Sequence, residues 1–197
     1  ALRFHCSKPE DAGLAAAERA LSMDANLAEE NAAIARVLTS NSKYDEAQRE
    51  IETALRLDPE SFEVNTAAAR LNYAQGRYED ATRYYEKAAS LMESDFSSVA
   101  MLIACYRSLG NQAGLRHAAQ RTLARAEKIA AQEPDNGMAM GYVVMSLIAL
   151  GQGDRARELA KRAMLLDPDN LTMRYNFACG FVELKDTETA LNLLGAV

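Results

Sequence analysis

The sequence predicts an all-α protein, a solenoid of antiparallel helix pairs. Three observations carry this. Ala, Leu, Glu and Arg abound among the 197 residues while Gly (10), Pro (4) and Trp (0) are scarce, a mixture that favours helix over strand. Similar segments recur along the chain at a fixed spacing. Each recurring segment divides into two helical patterns joined by a turn signal.

The repeat is visible residue by residue. Ala20-Leu21-Ser22-Met23-Asp24 returns as Ala54-Leu55-Arg56-Leu57-Asp58, and after the same interval as Ala88-Ala89-Ser90-Leu91-Met92. Ala163-Met164-Leu165-Leu166-Asp167 is its last copy. Pro134 and Pro168 are separated by that same interval, but Pro59 and Pro134 are further apart than two of them. One repeat therefore carries seven extra residues, about two helical turns. The chain divides into a partial unit over residues 1–27 and full units over 28–61, 62–95, 96–136 and 137–170, the third carrying the insertion. A truncated unit over 171–197 completes it.

Within these units the elements follow from local signals. The partial unit is mostly one helix, at about residues 10–23. Residues 62–75 are periodic and helical until Gly76 ends them. Residues 78–92 form the second helix of that unit, with Ala81, Tyr85 and Ala88 on one face. Gly110-Asn111 and Gly151-Gln152-Gly153 are equivalent stops in later units. Asp58-Pro59, Glu133-Pro134 and Asp167-Pro168 end second helices, because the residue before Pro disfavours α geometry. The inserted unit lengthens its second helix to residues 112–132.

Composition excludes several classes. Hydrophobic residues are 49% and charged residues 25%, the balance of a globular protein. No apolar run approaches the roughly 20 residues of a membrane helix. The net charge of −6 argues against generic nucleic-acid binding. Cys6, Cys105 and Cys179 lie far apart, which points to a reduced, cytoplasmic setting. The N-terminal stretch is too short and polar for a signal peptide. The absent initial Met, and a Val197 inside a helical pattern, lead us to expect a piece of a longer protein.

This organisation resembles the tetratricopeptide repeat, whose unit is about 34 residues long. The small-x-x-x-large pattern of that family reads Ala47-x-x-x-Ile51, Ala81-x-x-x-Tyr85 and Ala190-x-x-x-Leu194, with Ala156-x-x-x-Ala160 a weaker copy. Tyr44 and Tyr78 stand three residues before the small Ala. Asn31, Asn65, Val99 and Met140 occupy the place of the family's early Trp. The resemblance implies a right-handed superhelix whose first helices line a concave wall that holds a partner's peptide. It implies no enzyme and no cofactor.

The residues agree on the absence of catalysis. No phosphate-loop, zincin or nucleophile-elbow motif occurs. His5 and His117 have no nearby ligand partner for a metal.

On the implied wall, Arg36 and Arg70 are one repeat apart and hence equivalent. Arg107 falls on nearly the same face one unit later, and Tyr73 shares the face of Arg70. These four are candidates to hold an acidic segment; the other reading is a solvated face paired with acids such as Glu29 and Glu63. Further along, the wall becomes apolar: Met138, Gly141, Met145 and Ile148, then Tyr175, Cys179 and Val182. Met138, Met145, Ile148 and Tyr175 are candidates to hold an apolar segment; the other reading is packing against following chain. On the long helix, Leu115, Ala119, Thr122, Ala126 and Ile129 make an apolar stripe. His117, Arg121, Arg125 and Lys128 make a basic one, either solvated or facing an acidic partner.

The functional expectation is a protein-binding scaffold with a protein or peptide partner, no nucleic acid and no membrane. Two alternatives stand beside it. Tyr175-Asn176-Phe177-Ala178-Cys179 with Thr189-Ala190-Leu191-Asn192-Leu193-Leu194 is similar to C-terminal arrays of some bacterial signalling proteins. That similarity implies a nucleotide cyclase, kinase or DNA-binding domain docking on the array intramolecularly. The second alternative is a homo-oligomer formed through the incomplete terminal units.

Overall fold

The computed structural model describes residues 27–195. His5, Cys6, the predicted helix at 10–23 and Val197 lie outside them. Among the described residues there are ten helices, in antiparallel pairs, and no strand. They fall into two compact units that meet between Met92 and Glu93 in sequence. The first contains α1 (Ala28–Ser40), α2 (Tyr44–Leu57), α3 (Phe62–Ala74) and α4 (Tyr78–Leu91). The second contains α5 (Ser97–Ser108), α6 (Gln112–Gln132), α7 (Gly137–Ala149), α8 (Gly153–Leu166), α9 (Leu171–Glu183) and α10 (Thr187–Leu194).

One turn joins the helices of every pair. Ser42, Gly76, Gly110, Gly151 and Lys185 all have positive φ, between 59° and 74°. They recur once per repeat, and the interval lengthens only across the seven-residue insertion. Beside each, the next N–H donates to the carbonyl five residues back: Lys43 to Leu38, Arg77 to Asn72, Asn111 to Tyr106, Gln152 to Leu147 and Asp186 to Phe181, all at 2.8–2.9 Å. This closes the first helix and reverses the chain. Gly suits the left-handed conformation because it has no Cβ to clash. Ser42 and Lys185 adopt it without that freedom, so the turn is set by the packing of the pair as well as by Gly.

Second helices end differently. Asp58, Glu133 and Asp167 leave the helix with ψ between 71° and 91°, away from α geometry, each just before Pro. Three first helices, α3, α7 and α9, begin on side-chain caps that the repeat pattern alone did not reveal. Ser61, Asn136 and Asn170 accept from the N–H three residues on, at 3.4, 2.9 and 2.8 Å.

Each unit has its own core. In the first, Ala32, Ala35, Ala47, Ile51, Val64 and Leu71 are buried together. In the second, Val144, Leu147, Phe177 and Phe181 form the centre. The small residues Ala47, Ala81, Ala156 and Ala190 are all buried, allowing close helix approach. Their large partners Ile51 and Tyr85 are buried too. Leu194 differs: it is 53% exposed, because α10 ends there and no described element covers it.

Candidate functional site

The first unit presents one charged surface. Arg36 on α1 and Arg70 on α3 are exposed, and these two helices pack on each other. Neither arginine makes an ion pair or hydrogen bond with a described residue. Tyr73, one turn after Arg70, is half-buried with its ring edge-on to Tyr78 at 5.5 Å. Glu29 and Glu63 stand exposed at the starts of the same helices, where they complement the helix dipoles and do not pair with the arginines.

The neighbouring asparagines do not join this surface. Asn65 is 2% exposed, and its amide donates to the carbonyls of Pro59 and Ser61 at 2.9 and 2.8 Å. Asn31 donates to Leu27, and Asn72 donates to Ala68 while accepting from Arg77. All three are buried. At the early-Trp position, then, Asn31 and Asn65 tie the helix start to the preceding chain.

In the second unit the predicted apolar wall is only partly a surface. Met138 and Tyr175 are each 62% exposed, and Met145 is half-buried. Ile148 departs from expectation. It is 3% exposed, and α9 crosses it where Gly180 leaves no Cβ in the way. A groove between α7 and α9 is floored by Met173 and Phe177 and bordered by Met138, Tyr142, Met145 and Asn176. Val182 and Leu171 extend the exposed apolar face of α9. Cys179 is exposed one turn after Tyr175, and its hydrogen bond raises the Tyr175 hydroxyl above the ordinary tyrosine range.

Arg107 takes the other reading, an ion pair with an acid, here one not named from the sequence. It sits in the second unit, and its Nη2 lies 3.2 Å from Glu183 Oε2 at the end of α9. Both side chains are substantially exposed, and such pairs contribute about 0–1 kcal/mol.

On α6 the apolar stripe is core: Leu115, Ala119, Thr122 and Ala126 are buried. The basic stripe is not uniform. His117 and Lys128 are exposed, Arg121 is half-buried, and Arg125 donates to the Asp95 carbonyl at 2.6 Å. Arg125 therefore ties α6 to the chain entering α5, through an acceptor that the α6 sequence cannot show. Among the described residues no group of three or more His, Cys, Asp or Glu could hold a metal ion. None of their helices is long and apolar enough to cross a membrane.

Comparison with known proteins bears on this geometry. Residues 38–105 match the tetratricopeptide repeat family. No curated protein matches the sequence. Among solved structures, the chain is similar to YrrB, described as a TPR protein with an unusual peptide-binding site. The identity is 20% and the TM-score 0.58, over 91% of this chain and 89% of that one. A thermophilic TPR protein of Thermus thermophilus is similar at 17% identity and a TM-score of 0.66, over 88% of this chain and 91% of that one. The Cut9–Hcn1 hetero-tetramer of the APC/C is similar at 15% identity and a TM-score of 0.71, over 95% of this chain and 36% of that one. Identities this low carry the fold alone. The chain thus has tetratricopeptide repeat sequence over residues 38–105 and the TPR fold over its helix pairs. None of these similarities indicates an enzyme family or supports membership of a multidomain signalling protein.

Proposed function

We propose that this chain is a non-catalytic scaffold that binds a segment of another protein, and that the first unit recognises an acidic stretch through Arg36 and Arg70. The observation that carries this is that both arginines, at equivalent positions on two packed helices, have no ion-pair or hydrogen-bond partner among the described residues. Neighbouring helix axes lie about 8–10 Å apart, so two guanidiniums at equivalent positions can hold carboxylates of one extended segment. Tyr73 supplies an apolar edge beside them. The helices are already formed, so ordering falls mainly on the partner.

A second surface favours an apolar segment: the groove bordered by Met138 and Met145, with Tyr175 exposed on α9. Met side chains adapt to varied shapes, which suits a contact of modest specificity.

The test is fluorescence anisotropy with labelled hexaglutamate and a hexaglutamine control. Wild type is expected to prefer hexaglutamate. Arg36→Ala/Arg70→Ala is expected to weaken it about tenfold, roughly 1.4 kcal/mol. Equal affinity of wild type and the double variant overturns the assignment. An apolar peptide whose binding survives that variant and fails in Met138→Ala/Met145→Ala would establish the second surface.

A further inference from the structure

The second unit contains a cup of 440 Å³ where the ends of α5, α7 and α9 meet the start of α6. Leu115, Ile148 and Leu184 contribute apolar walls. Arg107 and Arg116 both line it, with Gln112 between them in sequence. One carboxylate-bearing residue, Glu183, lines the same cup. Glu183 reaches Arg107 from the last residue of α9, while Arg116 is exposed and pairs with no described residue.

Glu183 is poorly placed for its own helix. A carboxylate at a helix C-terminus meets the negative end of the dipole and is disfavoured there. Its bond to Arg107 is exposed and screened by salt. The contact thus puts one carboxylate against Arg107 at the lining of the cup, on a group that is easily displaced. A carboxylate placed between both arginines would engage two cations where Glu183 engages one.

We propose that this cup is a second acidic-segment site, for an Asp or Glu side chain of a partner protein, and that Glu183 is its internal competitor. The proposal rests on the reading of the chain as a protein-binding scaffold, and it uses residues of the second unit rather than Arg36 and Arg70. In the resting molecule Glu183 occupies Arg107. An incoming acidic segment displaces Glu183 and bridges Arg107 to Arg116, with Gln112 able to donate to the same carboxylate.

The experiment starts from Arg36→Ala/Arg70→Ala, so that the first surface is silent and its failure is read separately. Labelled hexaglutamate is titrated by anisotropy, with hexaglutamine as control and helicity checked by circular dichroism. Adding Glu183→Gln is expected to tighten hexaglutamate binding at least threefold, because the competitor is neutralised. Adding Arg107→Gln or Arg116→Gln to that background is expected to remove the gain and weaken binding about tenfold. Unchanged affinity on Glu183→Gln overturns the competition. Unchanged affinity on either arginine substitution, or binding no better than hexaglutamine, overturns the site.

Discussion

Arg157 on α8 holds Asp186, the cap of α10, with Nη2 at 2.8 Å and Nε at 2.9 Å from Oδ2. Asp186 also accepts from the Thr189 N–H at 3.1 Å and the Thr189 hydroxyl at 2.8 Å. The Arg157 hydrogen bonds first, then those from Thr189, hold the Asp186 carboxyl below the usual range. One aspartate therefore closes the start of the last helix and ties it to the previous pair.

The pH dependence has a definite sign. The folded pKa is depressed, so the stability that Asp186 contributes is present above its unfolded value of about 3.9. It is lost as pH falls through the folded value. Asp186→Ala is expected to cost about 1 kcal/mol at pH 7, the usual loss for a helix cap. Urea denaturation at pH 7, 5, 4 and 3 should show the wild-type advantage shrinking below about pH 4. An advantage that is constant to pH 3 would refute the ion-pair account.

Two glycines predict opposite outcomes. A Cβ at Gly180 would lie 2.9 Å from two branches of the buried Ile148. Gly180→Ala is expected to destabilise by about 1–3 kcal/mol through overpacking, with Ile148→Val recovering part of it. A Cβ at Gly141 would meet the flexible Met173 sulfur at 3.2 Å. There the neighbour can move, and the gain of helix propensity, up to about 1 kcal/mol, leaves Gly141→Ala neutral or stabilising. Thermal denaturation of both variants tests the contrast.

The repeated turn gives a stabilising prediction. Ser42 and Lys185 occupy left-handed backbone that costs L-residues roughly 1–2 kcal/mol. Replacing each with Gly relieves this, less the extra entropy of the unfolded chain. Ser42→Gly and Lys185→Gly are each expected to stabilise by about 0.5–1 kcal/mol in urea titrations. A loss of stability would mean that their side chains serve the turn in another way.

Asn65 tests the buried amide. Removing it leaves the Pro59 and Ser61 carbonyls without that donor. Asn65→Ala is expected to cost about 1–3 kcal/mol, measured by chemical denaturation. A neutral result would show that water replaces the amide.

Binding at the first surface should respond to salt. Arg36 and Arg70 are exposed, and exposed charges are screened over about 8–10 Å at 0.1–0.15 M ionic strength. Hexaglutamate affinity should fall steeply as salt is raised about tenfold from a low-salt buffer. An apolar peptide on the Met138 groove should show no such fall.

The candidate sites divide by how their partners are encoded. The exposure of Arg36 and Arg70 was legible because equivalence at one repeat length puts them on equivalent faces. The contacts of Arg107, Ile148 and Arg125 were not legible, for a common reason. Glu183, Gly180 and the Asp95 carbonyl each come from another element of the second unit, and their closeness depends on how helices stack. The asparagine caps had a local signal, an Asn directly before an apolar helix, that lies outside the repeat pattern.

By itself the sequence determined the helix pairs, the period at which they recur and the ends of the long helix at Gln112 and Gln132. These follow from local rules: backbone preference, one apolar face per helix, and Gly or Pro at the stops. Tertiary structure alone decided which residues of each face remain open. It buried Ile148 under α9, paired Arg107 with Glu183, and left Arg36 and Arg70 free of ion pairs among the described residues. The physical reason is that exposure and pairing belong to contacts between elements, where one missing Cβ or one facing carboxylate outweighs the local pattern.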